Sequence, residues 1–188
     1  MVIAAGESTI IYILPELVAR FRERYPNIHV RLKNVTGKDG LDQIREDKVD
    51  FAIGSMLDIP VDIGYTPLWS FDPALILPLG HPLAEKKEIR LSDIAPFGLI
   101  LPPRRLTTWR MVDQVFQQAR VPYEVVLEVG GWEVIKRYVE SGFGISIVTS
   151  ICLREGDRLV ARNMSTYFPK RTYGVVTRRG RHLPPPKN

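Results

Sequence analysis

Apolar residues along this chain switch repeatedly between two spacings. Residues 2–5 form a short continuous apolar run, the pattern of a buried strand. Next, Ile10, Ile13, Leu14, Leu17, Val18 and Phe21 recur at helical spacing, with Arg20, Arg22, Glu23 and Arg24 toward water. Ser8 and Thr9 precede that helix and suit its N-cap. Pro15 fits a first helical turn but not an interior, so the helix starts either near Thr9 or near Pro15. Pro26-Asn27 ends it, and residues 29–32 alternate as a strand.

The alternation of element types continues. Residues 39–46 read as a helix, 51–54 as a buried strand, and 58–62, with Pro60, as a connection. Residues 65–69 and 74–77 are two further strands separated by Phe71-Asp72-Pro73. A single turn is expected at 92–95, a strand at 98–101, and a helix at 108–119 with Val112, Val115, Phe116 and Ala119 on one face. Strand 123–129, helix 132–141 and strand 144–149 follow, and then strands at 159–161 and 172–177. Three consecutive prolines in 182–188 oppose helix there. Repeated strand–helix–strand order predicts an α/β protein with largely parallel sheets, in two similar blocks, 1–69 and 71–149. The 70–73 stretch is the expected crossing between them.

Composition narrows the class. In 188 residues, 45% hydrophobic and 25% charged content is globular and excludes disordered and collagen-like chains. No run approaches the roughly 20 apolar residues of a membrane span, and no basic stretch precedes the apolar start as in a signal peptide. The single cysteine, Cys152, has no internal partner for a disulfide, which fits a reducing compartment. The net charge of +5 is uneven: after Asp157 there are eight basic residues and no acid. Such a segment suits nucleic acid, an acidic partner, or a solvated face.

An enzyme finds little support. The three histidines, His29, His81 and His182, stand in no metal-binding or nucleophile motif, so no metal, cofactor or catalytic residue is expected. Gly142-Phe143-Gly144 follows a helix and lacks a third glycine, so it reads as a helix C-cap, not a dinucleotide fingerprint. Binding is better served. Open α/β sheets take ligands beyond the carboxyl ends of their strands, and three loops there carry small hydroxyls: Ser8 and Thr9, Ser55, and Thr107 with Thr108. Hydroxyls and free N–H groups at a helix start suit a carboxylate or sulfate, or else they cap their own helices. Trp109 and Trp132 also stand at helix starts, either as an aromatic wall or as packing aromatics. Glu7 opposes an anion unless it turns away or pairs with a cation such as Arg104 or Arg105.

Four motifs then resemble one family. Tyr12-x-Leu14-Pro15-x-Leu17-x-x-Arg20-Phe21-x-x-x-Tyr25-Pro26, Asp50-Phe51-Ala52-Ile53, Gly80-His81-Pro82-Leu83-Ala84 and Val139-x-x-Gly142-x-Gly144-Ile145-x-Ile147-Val148 are similar, in order and spacing, to the effector-binding domain of LysR-type transcriptional regulators. Glu133-Val134-Ile135-Lys136-Arg137-Tyr138-Val139 and the Phe168…Gly174-x-x-x-Arg178-Arg179 ending most resemble the CysB-like branch. The resemblance implies two Rossmann-like subdomains of the type 2 periplasmic-binding-protein-like fold with an effector cleft. Subdomain I would be 1–70 plus 172–188, and subdomain II 71–171. It implies a cytoplasmic homodimer or homotetramer that senses a small anionic effector and touches DNA only through an N-terminal helix-turn-helix domain, absent from these 188 residues. A solute-binding protein of a transport system is the alternative on the same fold.

The branch's sulfate-type site carries over in part. Ser8, Ser55 and Thr107 fall where the branch has threonines and Thr9 where it has a glutamine. Gly6 replaces a further threonine, Gly130-Gly131 a polar pair, and Trp132 a small residue. The implied ligand set is Ser8, Thr9, Ser55, Thr107, Thr108 and Trp132, for sulfate or a larger, flatter organic acid. His81 falls in a turn motif of the family. The family's final helix after Thr177 is opposed by Pro184-Pro185-Pro186.

Overall fold

The computed structural model describes residues 1–35 and 37–180. The proline triplet and the rest of 181–188 lie outside the described residues. Two compact units emerge: Met1–Ser70 with the described part of the segment from Thr172 onward, and Phe71–Arg171.

The first unit holds β1 (Val2–Ala5), α1 (Glu7–Tyr12), α2 (Leu14–Arg24), β2 (Arg31–Asn34), α3 (Gly37–Arg45), β3 (Phe51–Gly54), most of β4 (Ile63–Phe71) and, later in the chain, most of β10 (Arg171–Arg178). Its sheet runs β2-β1-β3-β10-β4. β1 lies parallel to both β2 and β3, while β10 enters antiparallel to β3, with Gly174 opposite Gly54. Alternate residues of β1 serve opposite faces. Ile3 and Ala5 pack with Leu14 of α2, whereas Ala4 packs with Ile44 of α3. Helices therefore cover both faces, which is why β1 reads as continuously apolar. Pro67 is tolerated because β4 is an edge strand.

Pro15 divides the expected long helix. α1 ends at Tyr12, Ile13 caps the next helix, and Pro15 occupies the first turn of α2, where its missing N–H costs nothing. The second strand lies two residues later than the alternation at 29–32 suggests. Its position is set by pairing to β1, Val2 opposite Arg31, on a sheet edge where Leu32 stays exposed.

The second unit repeats the plan. It comprises β5 (Pro73–Pro78), α4 (Leu91–Ile94), β6 (Leu99–Leu101), α5 (Thr107–Gln118), β7 (Val125–Glu128), α6 (Trp132–Glu140), β8 (Ser146–Thr149), a 3-10 turn (Ser150–Cys152) and β9 (Leu159–Asn163). β6 is parallel to β7, and a bridge from Leu99 to Ile145 joins it to the β8 side. β5 runs antiparallel to both β8 and β9. The order is thus β7-β6-β8-β5-β9, the counterpart of the first sheet. In each unit a strand from outside the βαβ series enters antiparallel, so the sheets are mixed where the element order alone predicts largely parallel ones. Leu75, Leu77, Leu99, Leu101, Val112, Phe116, Ile145, Ile147 and Phe168 form the main core. The opposite face is covered by α6 through Ile135 and Val139.

The Gly142 segment is a helix C-cap. Gly142 adopts φ +74°, its N–H donates to Val139 O and the Phe143 N–H to Tyr138 O, the paired bonds of a Schellman motif. The Phe143 and Tyr138 rings meet edge to face at 5.7 Å, the apolar contact that accompanies this cap.

Cys152 is fully buried, and burial pushes its thiol up to about 12 from 9.0. The folded state therefore holds the proton more tightly than the unfolded chain. Its contribution is complete below pH 9 and is lost as the pH rises toward 12. Melting curves from pH 8 to 11 should show an alkaline decline that is shallower in Cys152→Ala. Equal slopes would remove Cys152 from the account.

Candidate functional site

Each unit presents hydroxyls beyond the carboxyl ends of its parallel strands. In the first, β1 runs directly into α1, whose N-cap is Gly6, so Ser8 and Thr9 lie inside the first turn. Neither is the cap. Ser8 is half-buried, while Thr9 is 1% exposed and its carbonyl accepts the Ile13 N–H. Ser55, half-buried, follows β3, the strand beside β1. Ser8, Thr9 and Ser55 thus stand at the point where the strand order of this sheet reverses, the usual ligand position of an open α/β sheet. Glu7 is exposed.

In the second unit β6 leads through Pro102–Leu106 into α5. Leu106 is the N-cap, in extended conformation, and its apolar side chain makes no cap bond. Thr107 and Thr108 occupy the next two positions, so the capping role open to them in sequence is not the one they take. Thr107 is half-buried. Thr108 is 4% exposed, and its Oγ1 accepts a hydrogen bond from Arg171 Nη1. Arg171 opens β10 and closes the second unit, which brings a guanidinium to the first turn of α5. Trp109 is buried in the core beneath, and Arg104 stacks over its ring at 5.1 Å. Asp113, further along α5, accepts the Tyr123 hydroxyl at 2.7 Å. Burial, and then this bond, raise the Tyr123 hydroxyl above its ordinary range.

Trp132 is half-buried at the first position of α6, after Gly131 at φ +86°, and follows β7 on the far side of β6 from β8. Of the two tryptophans at helix starts, Trp109 is therefore a packing residue and Trp132 lies nearer the surface. Two features escaped the sequence. Ser150 follows β8 as Ser55 follows β3, a correspondence visible only once the two sheets are aligned. Arg171 was one basic residue among eight, with no local pattern to mark it.

Other members of that basic segment serve the fold. Arg162 donates to the carbonyls of Ala84 at 2.5 Å and Lys86 at 2.7 Å, fastening the loop after β5. Lys170 pairs with Asp72 and Arg178 with Asp47, each at 3.1 Å. Arg181 and Lys187 lie outside the described residues. His81 accepts the Leu83 N–H on Nδ1 and meets the Phe97 ring at 4.4 Å, and burial lowers its pKa. Those contacts belong to a structural turn. Among the described residues no three His, Cys, Asp or Glu side chains gather as a metal site, and no helix is long and apolar enough to cross a membrane.

The first turns of α1 and α5 each carry hydroxyls beyond a strand end of their own unit, groups of the kind that suit an oxyanion. Comparisons with known proteins give the family and the fold. The chain is 30% identical over 186 residues to the HTH-type transcriptional regulator SsuR of Burkholderia cenocepacia, covering 97% of this chain and 60% of the relative. It is 28% identical over 160 residues to the HTH-type transcriptional regulator CysB of the same organism, covering 84% and 51%. The chain thus spans between half and about 60% of the length of these relatives. The cofactor-binding domain of the Cbl transcriptional regulator has the same fold, with a TM-score of 0.90 at 24% identity over 98% of this chain and 82% of that one. So does the regulatory domain of CcmR from Synechocystis PCC6803, solved with 2-PG, at a TM-score of 0.87 and 24% identity over 98% and 90%. The sequence model of the LysR substrate binding domain matches residues 1–187, and the chain belongs to that family.

Proposed function

We propose that this chain is the ligand-sensing regulatory domain of a LysR-type transcription factor, of the CysB-like branch, that responds to a small anionic metabolite. The observation that carries this reading is the family match across residues 1–187, supported by relatives named as transcriptional regulators. The similarly folded domains of CcmR and QuiR, solved with 2-PG and with shikimate, are in keeping with a small effector. The effector is a sulfate-like ion or an organic acid. Ser8, Thr9 and Ser55 of the first unit, and Thr107, Thr108 and Trp132 of the second, are the residues assigned to it. The domain binds its effector without catalysis, in keeping with relatives named as transcriptional regulators. It acts in the cytoplasm within a homodimer or homotetramer, and reaches DNA through a helix-turn-helix domain. Effector binding shifts the protein between arrangements only by its differential affinity for them.

Thermal-shift assays and calorimetry with sulfate, thiosulfate, O-acetylserine and succinate test this. At least one should raise the melting temperature saturably, by about 2.7 kcal/mol of stabilisation at a hundredfold excess over its Kd. Thr107→Ala should weaken that ligand about tenfold, the cost of one hydrogen bond to a charged group, while the ligand-free melting stays within a degree or so. If none of the four outperforms chloride at equal ionic strength, the reading fails.

A further inference from the structure

The second unit carries a recess at the other end of α6 from Trp132. Its volume is about 640 Å³, within the roughly 300–1,000 Å³ of small-molecule pockets. Three segments wall it: the turn after β5 at 78–81, the end of α6 at 140–142, and Arg158 at the entry to β9. Two glycines leave space above their backbones. Gly80 and Gly142 adopt φ +77° and +74°, and a Cβ on either would meet nothing within 4 Å. None of the residues assigned to the anionic effector lines this recess. From the opposite charges on its walls we propose that it is a binding site for a zwitterionic amino acid, with the ligand carboxylate on Arg158 and the ligand ammonium on Glu140.

The acid is fixed before any ligand arrives. Glu140 Oε1 accepts the Arg158 N–H at 3.2 Å and Oε2 accepts Arg137 Nη1 at 2.9 Å, and its side chain is only 15% exposed. Each carboxylate oxygen keeps a second lone pair for an ammonium. Ser141 Oγ donates to Arg137 O at 2.9 Å, so toward a ligand it acts as an acceptor. The negative pole of α6 lies at the same end and favours a cation there. The facing charge is Arg158, whose guanidinium pairs with no carboxylate among the described residues. Asp157, its neighbour in sequence, is engaged by Lys136. A guanidinium fork matches both oxygens of a carboxylate. His81 adds a neutral donor: Nδ1 accepts the Leu83 N–H, and burial lowers its pKa, so the neutral ring carries its proton on Nε2. A simple anion would be opposed by Glu140 and a simple cation by Arg158. A ligand carrying both charges is opposed by neither.

Calorimetric titration of the 188-residue chain with L-serine, L-glutamine and L-methionine tests the proposal, since the three share the ammonium and the carboxylate. At least one should bind saturably and shift the amide NMR signals of Gly80, His81 and Gly142. Propionate and ethylamine, which each supply one of the two charges, should bind at least tenfold more weakly. Arg158→Gln and Glu140→Gln should each weaken the amino acid about tenfold, the loss of one hydrogen bond between charged groups. Glu140→Gln keeps an oxygen for the Arg158 N–H, so the two segments stay joined. Ethylamine should be indifferent to Arg158→Gln and propionate to Glu140→Gln, whereas a merely structural role would weaken both probes in both variants and overturn the proposal. Thr107→Ala should leave amino-acid binding unchanged. The proposal is equally overturned if none of the three amino acids binds, if propionate or ethylamine binds as tightly as they do, or if binding survives both variants. Amide shifts that bypass Gly80 and Gly142 would place the ligand elsewhere and overturn it too.

Discussion

Lys136→Met should destabilise the second unit by about 3 kcal/mol, the range found when one partner of a buried ion pair is removed. Lys136 is 2% exposed on α6, with its Nζ donating to Cys152 O at 2.8 Å and to the two Asp157 carboxylate oxygens at 3.0 and 3.1 Å. Glu133 Oε1 lies 3.1 Å away on the same helix. One ammonium thus ties α6 to the 3-10 turn after β8 and to the loop closed by the Arg154 N–H on Asp157. Methionine keeps the apolar stem but leaves Asp157 without its cation. In a chain of this size the loss corresponds to roughly 6–12 °C in Tm, read by thermal or urea unfolding. Adding Asp157→Asn should recover part of it, because the carboxylate left behind causes much of the cost. An unaltered Tm in Lys136→Met would show that the pair contributes nothing net.

The same residue has a pH signature. Burial lowers the Lys136 pKa, but hydrogen bonds and charge from Asp157 and Glu133 outweigh it and hold the ammonium above its ordinary 10.5. A group raised in the folded state stabilises fully below its unfolded value and ceases to as the pH climbs through the folded one. The gap between wild type and Lys136→Met should therefore be constant from pH 7 to 9 and close only above about 10.5.

Gly174→Ala should be the most damaging small substitution in the first unit. A Cβ at Gly174 would stand 2.2 Å from Thr66 O and 2.8 Å from the Pro67 Cα. Both atoms are backbone of the neighbouring strand β4, so no rotamer relieves the overlap and the two strands must part. About 3 kcal/mol or more is the expected cost, at the upper end for overpacking. The strain would fall on the Tyr65 hydroxyl bond to Thr172 O, 3.0 Å, and on the Ser70–Thr172 hydroxyl pair, 2.7 Å. Gly54→Ala is the internal control. Gly54 is the register partner of Gly174, but a Cβ there meets nothing within 4 Å. Faster hydrogen exchange along β4 and β10 in Gly174→Ala, with Gly54→Ala close to wild type, is the expected pattern, and equal stability of the two variants would refute it.

Local pattern accounts for most of the elements, because their causes lie within a few residues. The strand 51–54 and the helix that starts at Trp132 stand where their apolar spacing places them, and Gly142 caps α6 as its place after the helix implies. Pro15 narrowed the first helix to two possibilities, which packing then resolved as two helices. The hydroxyls were visible as residue types after strands, yet their roles were not. Ser8 and Thr107 look like caps in sequence, and the structure gives the caps to Gly6 and Leu106. Helix starts shift by a residue or two with tertiary packing, and a side chain's role shifts with them.

What the sequence determined by itself is the α/β alternation, the two similar blocks and the family, all carried by short-range periodicity and motif order. The tertiary structure alone decided which strand joins which. The antiparallel entries of β5 and β10 depend on pairings between residues far apart in the chain, Val175 with Ile53 and Leu75 with Ile147. It alone also set Arg171 against Thr108, 63 positions apart. Hydrophobic spacing records which face of an element is buried, whereas contacts of that range leave no periodic trace, since they depend on the path of the chain between them.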